Sequence, residues 1–212
     1  MTARAVDVDA ARAYAAGVRS RGAPSCLRRA AALAGAVLSS ALAGCAGLPP
    51  EVPRGGSFDA GRLEGGWHVL ASNFPMWLEG DKADPNFIYR LRPGTSPVEL
   101  DDTVAYTKGS RRDTIEGTDT QDPASPTHFT WRGRGLLAAF ASDWVVAASG
   151  PEDRWIVLYF TKTLATPEGV DVIAKVPVLS PEDREAVSRL LASDPFLKQK
   201  SRGLVWLARR AP

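Results

Sequence analysis

The chain has 212 residues, 44% hydrophobic and 24% charged, with a formal net charge of +2 at pH 7. This composition excludes disorder along the whole chain and suits one domain with a sizeable core. Residues 1–44 hold 6 basic and 2 acidic side chains, so the remainder has 26 − 6 = 20 basic against 24 − 2 = 22 acidic ones. Its net charge is about −2, so the charge of this part gives no reason to expect that it binds nucleic acid.

The N-terminal segment has the order of an export signal. Arg28 and Arg29 precede an apolar run of 13 residues, Ala30–Leu42, after which small residues follow. Such a run is too short to span a bilayer comfortably. Residues 1–17 form an unusually long extension for a signal, and we hypothesise that translation starts later, at Val18 read from a GTG codon.

The end of the signal, Leu42-Ala43-Gly44-Cys45, resembles a bacterial lipobox. This resemblance implies cleavage before Cys45 and attachment of acyl chains such as palmitate, which leaves 212 − 44 = 168 residues. The alternative is an ordinary signal that ends near a cysteine by chance. Because Ala46 is not the aspartate of an inner-membrane retention signal, we expect the outer membrane, on its periplasmic face. Cys26 is lost with the signal, so no disulfide is possible afterwards.

These features divide the chain into three segments. Residues 1–44 are the export signal, and residues 45–57 are the lipidated cysteine with a tether rich in proline and glycine. Residues 58–212 are the folded domain.

The folded domain shows hydrophobic alternation of period two, broken by clusters of turn residues. This pattern predicts an all-β domain, an eight-stranded antiparallel up-and-down barrel that can hold one small ligand. An open β-sandwich is the structural alternative. The predicted strands cover residues 66–74, 86–92, 98–108, 112–120, 127–134, 143–149, 154–163 and 169–177.

One helix is predicted after the last barrel strand. Ser180 is its N-cap and Pro181 its first residue. Its apolar face, expected to pack outside the sheet, consists of Ala186, Val187, Leu190 and Leu191. Residues 203–209 are predicted to form a short final strand.

The first predicted strand opens with Gly65-Gly66-Trp67, which matches the Gly-x-Trp motif of the lipocalin family. The segment "LEGGWHVLASNF" resembles the first strand of bacterial lipocalins, which are small outer-membrane lipoproteins. Residues 172–191 are similar to the final barrel strand and helix of that group, and the resemblance covers about residues 57–209.

The resemblance implies that Gly65 and Trp67 form a barrel-closing motif. Lipocalins commonly place an arginine over this tryptophan, but the matching residue here is Lys175, which retains a cation-π contact and loses the planar stacking of arginine. The family's Thr-Asp-Tyr loop motif also has no clear counterpart.

Candidate ligand contacts follow from the predicted barrel. Val69 and Ala71 share the face of Trp67 by period two and are expected to line the lower interior. Trp77 lies in the long first loop, where it is a lid residue, a ligand contact or a membrane-surface contact. Large apolar walls are expected from strand residues Phe129, Trp131, Trp144, Trp155 and Tyr159.

The sequence offers no recognised catalytic or metal-binding motif. His68 and His128 lack metal-ligand spacing, and neither a Gly-x-Ser-x-Gly segment nor a phosphate-binding loop occurs. We therefore assign no catalytic residue, metal or cofactor. His128 or Asp143 is the acid or base to consider if either side chain points inward.

We expect an outer-membrane-anchored lipocalin-like protein that binds or transports a hydrophobic small molecule, such as the fatty acid or lysolipid that the resemblance implies. Its partners are that ligand and, through the anchor, the membrane. An isomerase or dehydratase acting in the same cavity is one alternative. A non-ligand-binding envelope lipoprotein, whose barrel is filled by its own side chains, is another.

Overall fold

The structure is a computed structural model that describes residues 56–79, 81–163 and 167–208. The predicted export signal, Cys45 and most of the tether lie outside these ranges. Within them, no helix has the length and apolar character needed to cross a bilayer.

Eight strands form a closed antiparallel up-and-down barrel, which confirms the predicted fold class. A ninth short strand follows the helical segment. The strands are β1 (Gly65–Ser72), β2 (Lys82–Arg92), β3 (Glu99–Lys108), β4 (Arg111–Gln121), β5 (His128–Gly133), β6 (Ala141–Ser149), β7 (Ile156–Phe160), β8 (Gly169–Ala174) and β9 (Val205–Trp206).

Strand β1 closes the barrel because it pairs on both edges. It pairs with β2 from Gly65 to His68 and with β8 from His68 to Ser72. The remaining strands from β2 to β8 pair in chain order. β9 adds to β1 at Ala71 and Ser72, beyond the last pair that β1 makes with β2.

In the part of the chain that the structure describes, three α-helices accompany the strands: α1 (Pro75–Leu78) in the β1–β2 loop, and α2 (Pro181–Ser193) and α3 (Pro195–Lys200) after β8. Ser180 Oγ accepts a hydrogen bond from the Asp183 amide, so α2 begins at the predicted cap. Helix α3 was not predicted from the sequence.

The core has two layers separated by the barrel wall. One lies inside the barrel, and the other lies outside it, where α2 and α3 cover the sheet. The largest fully buried interior side chains include Trp67, Val69, Tyr89, Leu100, Phe129, Trp144, Ile156, Leu158 and Ile173. The outer layer includes Leu70, Ala71, Val145, Trp155, Val157, Tyr159, Val170, Val172, Val187 and Leu197.

A β-bulge in β1 changes which residues face inward. The register with β8 shifts between Val69 and Ala71, so Val69 belongs to the interior cluster and Ala71 to the outer one. The prediction that Ala71 shares the face of Trp67 is therefore wrong. Period two fails there because the bulge inserts one extra residue into the strand.

Tyr159 also faces outward, which corrects its assignment to the ligand-facing wall. Its ring packs edge-on against Phe196 of α3 with 5.0 Å between centroids, and its hydroxyl donates to Glu168 at 2.9 Å. Strand β7 is buried on both faces because α3 covers the outside. The aromatic character of a residue on this strand therefore does not indicate whether its side chain points into the barrel or away from it.

Candidate functional site

One end of the barrel is closed around Trp67. A 3-10 helix, Ala60–Leu63, precedes β1, and the Trp67 indole donates a hydrogen bond of 2.7 Å to the Leu63 carbonyl. Gly65 has a φ of 108°, a value that favours glycine. Lys175 Nζ lies 4.9 Å from the centre of the Trp67 ring. The arrangement resembles the one implied for the Gly-x-Trp motif, with lysine over the tryptophan.

The opposite end, which we call the mouth, is covered by Trp77. This residue lies on α1, which begins at Pro75 and extends the β1–β2 loop over the barrel. Its side chain is 7% exposed, and its ring centroid lies 6.1 Å from that of Tyr106. Its indole also acts as a hydrogen-bonding neighbour that lowers the pKa of Asp171 on β8. Trp77 is thus turned into the barrel and packs with the interior cluster.

Three aspartates lie inside this barrel, and none of them was selected from the sequence. They are Asp102 on β3, Asp119 on β4 and Asp171 on β8, with exposed fractions of 6%, 0% and 1%. Charged carboxylates at this depth are expensive unless they are paired or hydrogen-bonded. Their presence marks the interior as more than an apolar core.

Each interior aspartate has a tryptophan partner. Trp144 Nε1 donates to Asp119 Oδ1 at 2.7 Å. Trp131 lies close enough to Asp102 to lower its pKa as a hydrogen-bonding neighbour, and Trp77 has the same effect on Asp171. These three indoles were predicted as ligand contacts on apolar grounds, but they also satisfy part of the buried charge.

A glycine on β4 makes the Trp131 contact possible. Gly117 lies opposite Asp102 on one side and Gly133 on the other. A Cβ atom at Gly117 would lie 2.0 Å from Trp131 Nε1, so the indole occupies the space where a side chain would be. Trp131 of β5 can therefore reach across β4 to the aspartate on β3.

One oxygen of each aspartate has no hydrogen-bond partner among the described residues. These atoms are Asp102 Oδ1, Asp119 Oδ2 and Asp171 Oδ1. An unsatisfied buried acceptor costs about 1–3 kcal/mol, so such atoms are uncommon in native proteins and often mark a function or a bound group.

The carboxyl groups differ from exposed ones in acidity. Burial raises the pKa of Asp119 to about 7, against the lowering effect of the Trp144 hydrogen bond. Burial likewise raises the pKa of Asp171 to about 7, against the hydrogen bonds from Ser72 and Trp77. The pKa of Asp102 lies well above its usual range because of burial and the nearby Asp119 charge.

Aromatic rings surround the aspartates. Phe129 stacks on Trp144 with 4.3 Å between centroids and 10° between planes, and Tyr89 lies 6.1 Å from Trp144. Burial, together with the charges of the three aspartates, raises the pKa of Tyr89 well above its usual range. The Tyr89 hydroxyl stays protonated and keeps its proton available for donation at neutral pH.

The structure brings most of the predicted ligand residues together. Val69, Trp77, Phe129 and Trp144 belong to the interior cluster, and Trp131 packs against it. The exceptions are Ala71 and Tyr159, described above, and Trp155, which belongs to the outer cluster.

The acid and base candidates named from the sequence lie on the outer face. Asp143 accepts a hydrogen bond from Thr130 Oγ1 at 2.7 Å at an exposed position. His128 pairs with Val145, a member of the outer cluster. Within the described ranges, no three His, Cys, Asp or Glu side chains are grouped so that they could hold a metal ion.

The missed aspartates left a weak signal in the sequence. Asp171 stands in "GVDVIA", where its neighbours are apolar, so a charge interrupts a run that reads as a buried strand. Asp102 and Asp119 alternate with residues of mixed polarity and resemble the solvent face of an ordinary strand.

Comparison by sequence finds no matching protein family and no similar curated protein. Comparison of structures does find similar proteins. Insecticyanin from the tobacco hornworm Manduca sexta superposes with a TM-score of 0.59 at 15% identity, covering 76% of this chain and 86% of that one. Lobster apocrustacyanin A1 gives a TM-score of 0.53 at 11% identity, covering 72% and 81%. Both neighbours are lipocalins, and this chain has the lipocalin fold.

Proposed function

We propose that the barrel binds a hydrophobic small molecule in its interior and that Trp77 is the lid over the bound molecule. The observation that supports this most directly is the position of Trp77. A loop tryptophan that is 7% exposed and turned inward covers the mouth of an aromatic-lined barrel. Structural likeness to lipocalins is consistent with this use of the fold.

Binding would come mainly from burial of apolar surface, at about 25 cal/mol per Å² removed from water, less the cost of ordering the ligand. Walls for such a ligand are supplied by Phe129, Trp131 and Trp144. Ligand access requires the lid to move, since Trp77 contacts both Tyr106 and Asp171. The fatty acid and lysolipid classes implied by the resemblance are the first to test.

We further propose that the barrel works at the periplasmic face of the outer membrane, held there by acyl chains on Cys45. Sparingly soluble ligands concentrate at such a surface, and more than one acyl chain makes anchoring stable. Membrane fractionation tests this step: Cys45→Ser should move the protein out of the membrane fraction, whereas the same substitution at Cys26 should not.

The binding experiment uses the full chain with Cys45→Ser, to keep attached lipid out of the measurement. Lipids extracted from the purified protein are identified by mass spectrometry, and displacement of a fluorescent fatty acid is measured. Trp77→Ala should weaken binding by about tenfold without unfolding the domain. The control Leu78→Ala changes an exposed neighbour on the same helix and should leave binding unchanged. An extract without lipid, together with no displacement of the probe, contradicts the proposal.

A second candidate is catalysis in the same interior, as an isomerase or dehydratase. The observation that favours it is Asp119, a buried carboxyl whose pKa of about 7 suits a general acid or base. Deuterium exchange from solvent into a hydrophobic ketone, followed by NMR, tests this activity. Exchange that Asp119→Asn abolishes supports an enzyme, and exchange at the rate of buffer alone rejects this chemistry.

A further inference from the structure

Two of the interior aspartates form a pair on adjacent strands. Asp102 lies opposite Gly117, and Asp119 lies opposite Leu100, so the two carboxylates are diagonal neighbours on the inward face of β3 and β4. Diagonal neighbours on a sheet lie about 7–8 Å apart, close enough for one bound group to contact both side chains. Gly117 places no side chain beside them, and the Asp119 charge acts on Asp102.

Two carboxylate oxygens of this pair have no hydrogen-bond partner among the described residues. Trp144 donates to Asp119, and Trp131 is the hydrogen-bonding neighbour that lowers the pKa of Asp102. The atoms without a described partner are Asp102 Oδ1 and Asp119 Oδ2. Both residues are more than nine-tenths buried. Two orphaned acceptors in one small region match a group that carries several N–H donors.

The aromatic rings near Asp102 and Asp119 also favour a positively charged group. Tyr89 and Phe129 flank Trp144, and aromatic faces attract cations through their quadrupole. Among the described residues, the buried polar and charged side chains include no Lys or Arg. Arg134, whose positive charge acts on Asp102, pairs with Asp101 and Thr118 at an exposed position.

We propose that the ligand of this barrel is a hydrophobic amine and that Asp102 and Asp119 bind its ammonium group. The proposal rests on the proposed binding function and narrows its ligand class. An ammonium has three donors for the two free acceptors, whereas an alcohol has one. A fatty acid placed with its carboxylate at this depth would lie beside two further carboxyl groups with no cation to balance its charge, so it would have to bind with that group at the mouth.

Three probes of equal chain length separate these cases: octylamine, octanol and octanoate. Each is titrated into the full chain carrying Cys45→Ser, with calorimetry and tryptophan fluorescence as readouts. Octylamine and octanol bury the same alkyl chain, so the difference between their affinities reports the head group, whereas the alkyl chain of octanoate is shorter by one methylene. We expect octylamine to bind at least about tenfold more tightly than octanol, since a hydrogen bond to a charged group exceeds a neutral one, and octanoate to bind most weakly.

Asp119→Asn tests the residue itself. Asparagine keeps an oxygen for the Trp144 indole, so the variant should fold, and circular dichroism checks that it does. We expect the preference for octylamine over octanol to fall by about tenfold, and Asp102→Asn to act in the same direction. The control Asp101→Asn removes the same charge from the outer face of β3 and should leave the preference unchanged.

The outcomes distinguish the two proposals. If octanol or octanoate binds and octylamine binds no more tightly, the amine inference is wrong while the binding function stands. The same holds if Asp119→Asn and Asp102→Asn both retain the preference. If none of the three probes binds, binding of a simple hydrophobic ligand and the amine inference both fail.

Discussion

Trp144 Nε1 lies 2.7 Å from Asp119 Oδ1, which joins β6 to β4 across the intervening strand β5. Trp131 on β5 likewise reaches across β4 towards Asp102 on β3 and lowers the pKa of that carboxyl group. Indoles of the interior thus connect second-neighbour strands and hold buried carboxylates. This interior is both aromatic and acidic, and the acidity determines the pH behaviour expected of the protein.

Stability should fall as the pH rises from about 4 to about 7. The pKa values of Asp119 and Asp171 are about 7 in the folded protein, above the ordinary value of 3.8. Between these limits the folded state holds more protons than the unfolded state, so each group contributes stability below pH 4 that is lost as the pH passes through 7. The upper limit is about 1.4 kcal/mol per pH unit for each group.

Urea unfolding at pH 5 and pH 8 measures this effect. Asp119→Asn should reduce the difference between the two pH values because it removes one titrating group, while Asp113→Asn on the barrel surface should not. Equal stability at both pH values would show that these carboxyls have ordinary acidity in the folded protein.

Trp144→Phe should destabilise the domain more than Trp155→Phe does. Both tryptophans are buried, but Trp144 donates to Asp119, whereas Trp155 Nε1 has no hydrogen-bond partner among the described residues. Removing the Trp144 donor leaves a buried carboxylate oxygen unsatisfied, at about 1–3 kcal/mol beyond the loss of ring volume. Chemical denaturation of both variants gives the comparison, and equal losses would contradict a stabilising Trp144 bond.

Gly117→Ala should disturb the interior, because its methyl group would occupy the position of the Trp131 indole. We expect a loss of about 1–3 kcal/mol from overpacking and a change in near-ultraviolet circular dichroism. Gly66→Ala is the matched control, since a Cβ atom added there would have no heavy atom within 4 Å beyond its immediate neighbours. If both variants melt at the wild-type temperature, Trp131 does not depend on Gly117.

Trp67→Ala should destabilise the barrel by about 3–5 kcal/mol, because the residue is fully buried and its indole bonds to Leu63. Lys175→Gln removes only the cation-π contact of an exposed lysine and should lose about 0.5–1 kcal/mol. Lys175→Arg should retain the contact. Thermal melting of the three variants should rank them in that order, and a Lys175→Gln loss as large as that of Trp67→Ala would be inconsistent with this account.

Local patterns in the sequence were sufficient to predict the secondary-structure elements and the fold class. Period-two alternation and turn clusters predicted eight strands, each overlapping the observed one, and Ser180 with Pro181 predicted the start of α2. These features depend on neighbouring residues, which constrain the backbone directly. The same reasoning failed at Ala71, because a bulge depends on the partner strand.

Only the closed barrel decided the chemistry of the interior. Asp119 and Trp144 are 25 residues apart, and nothing in either local sequence pairs them. Closure and strand register place both side chains on the inner wall, where water is excluded and a carboxyl group becomes a weak acid. The sequence alone indicates a lipocalin-like barrel with aromatic walls, and the tertiary structure adds the buried acids that set its proposed ligand class.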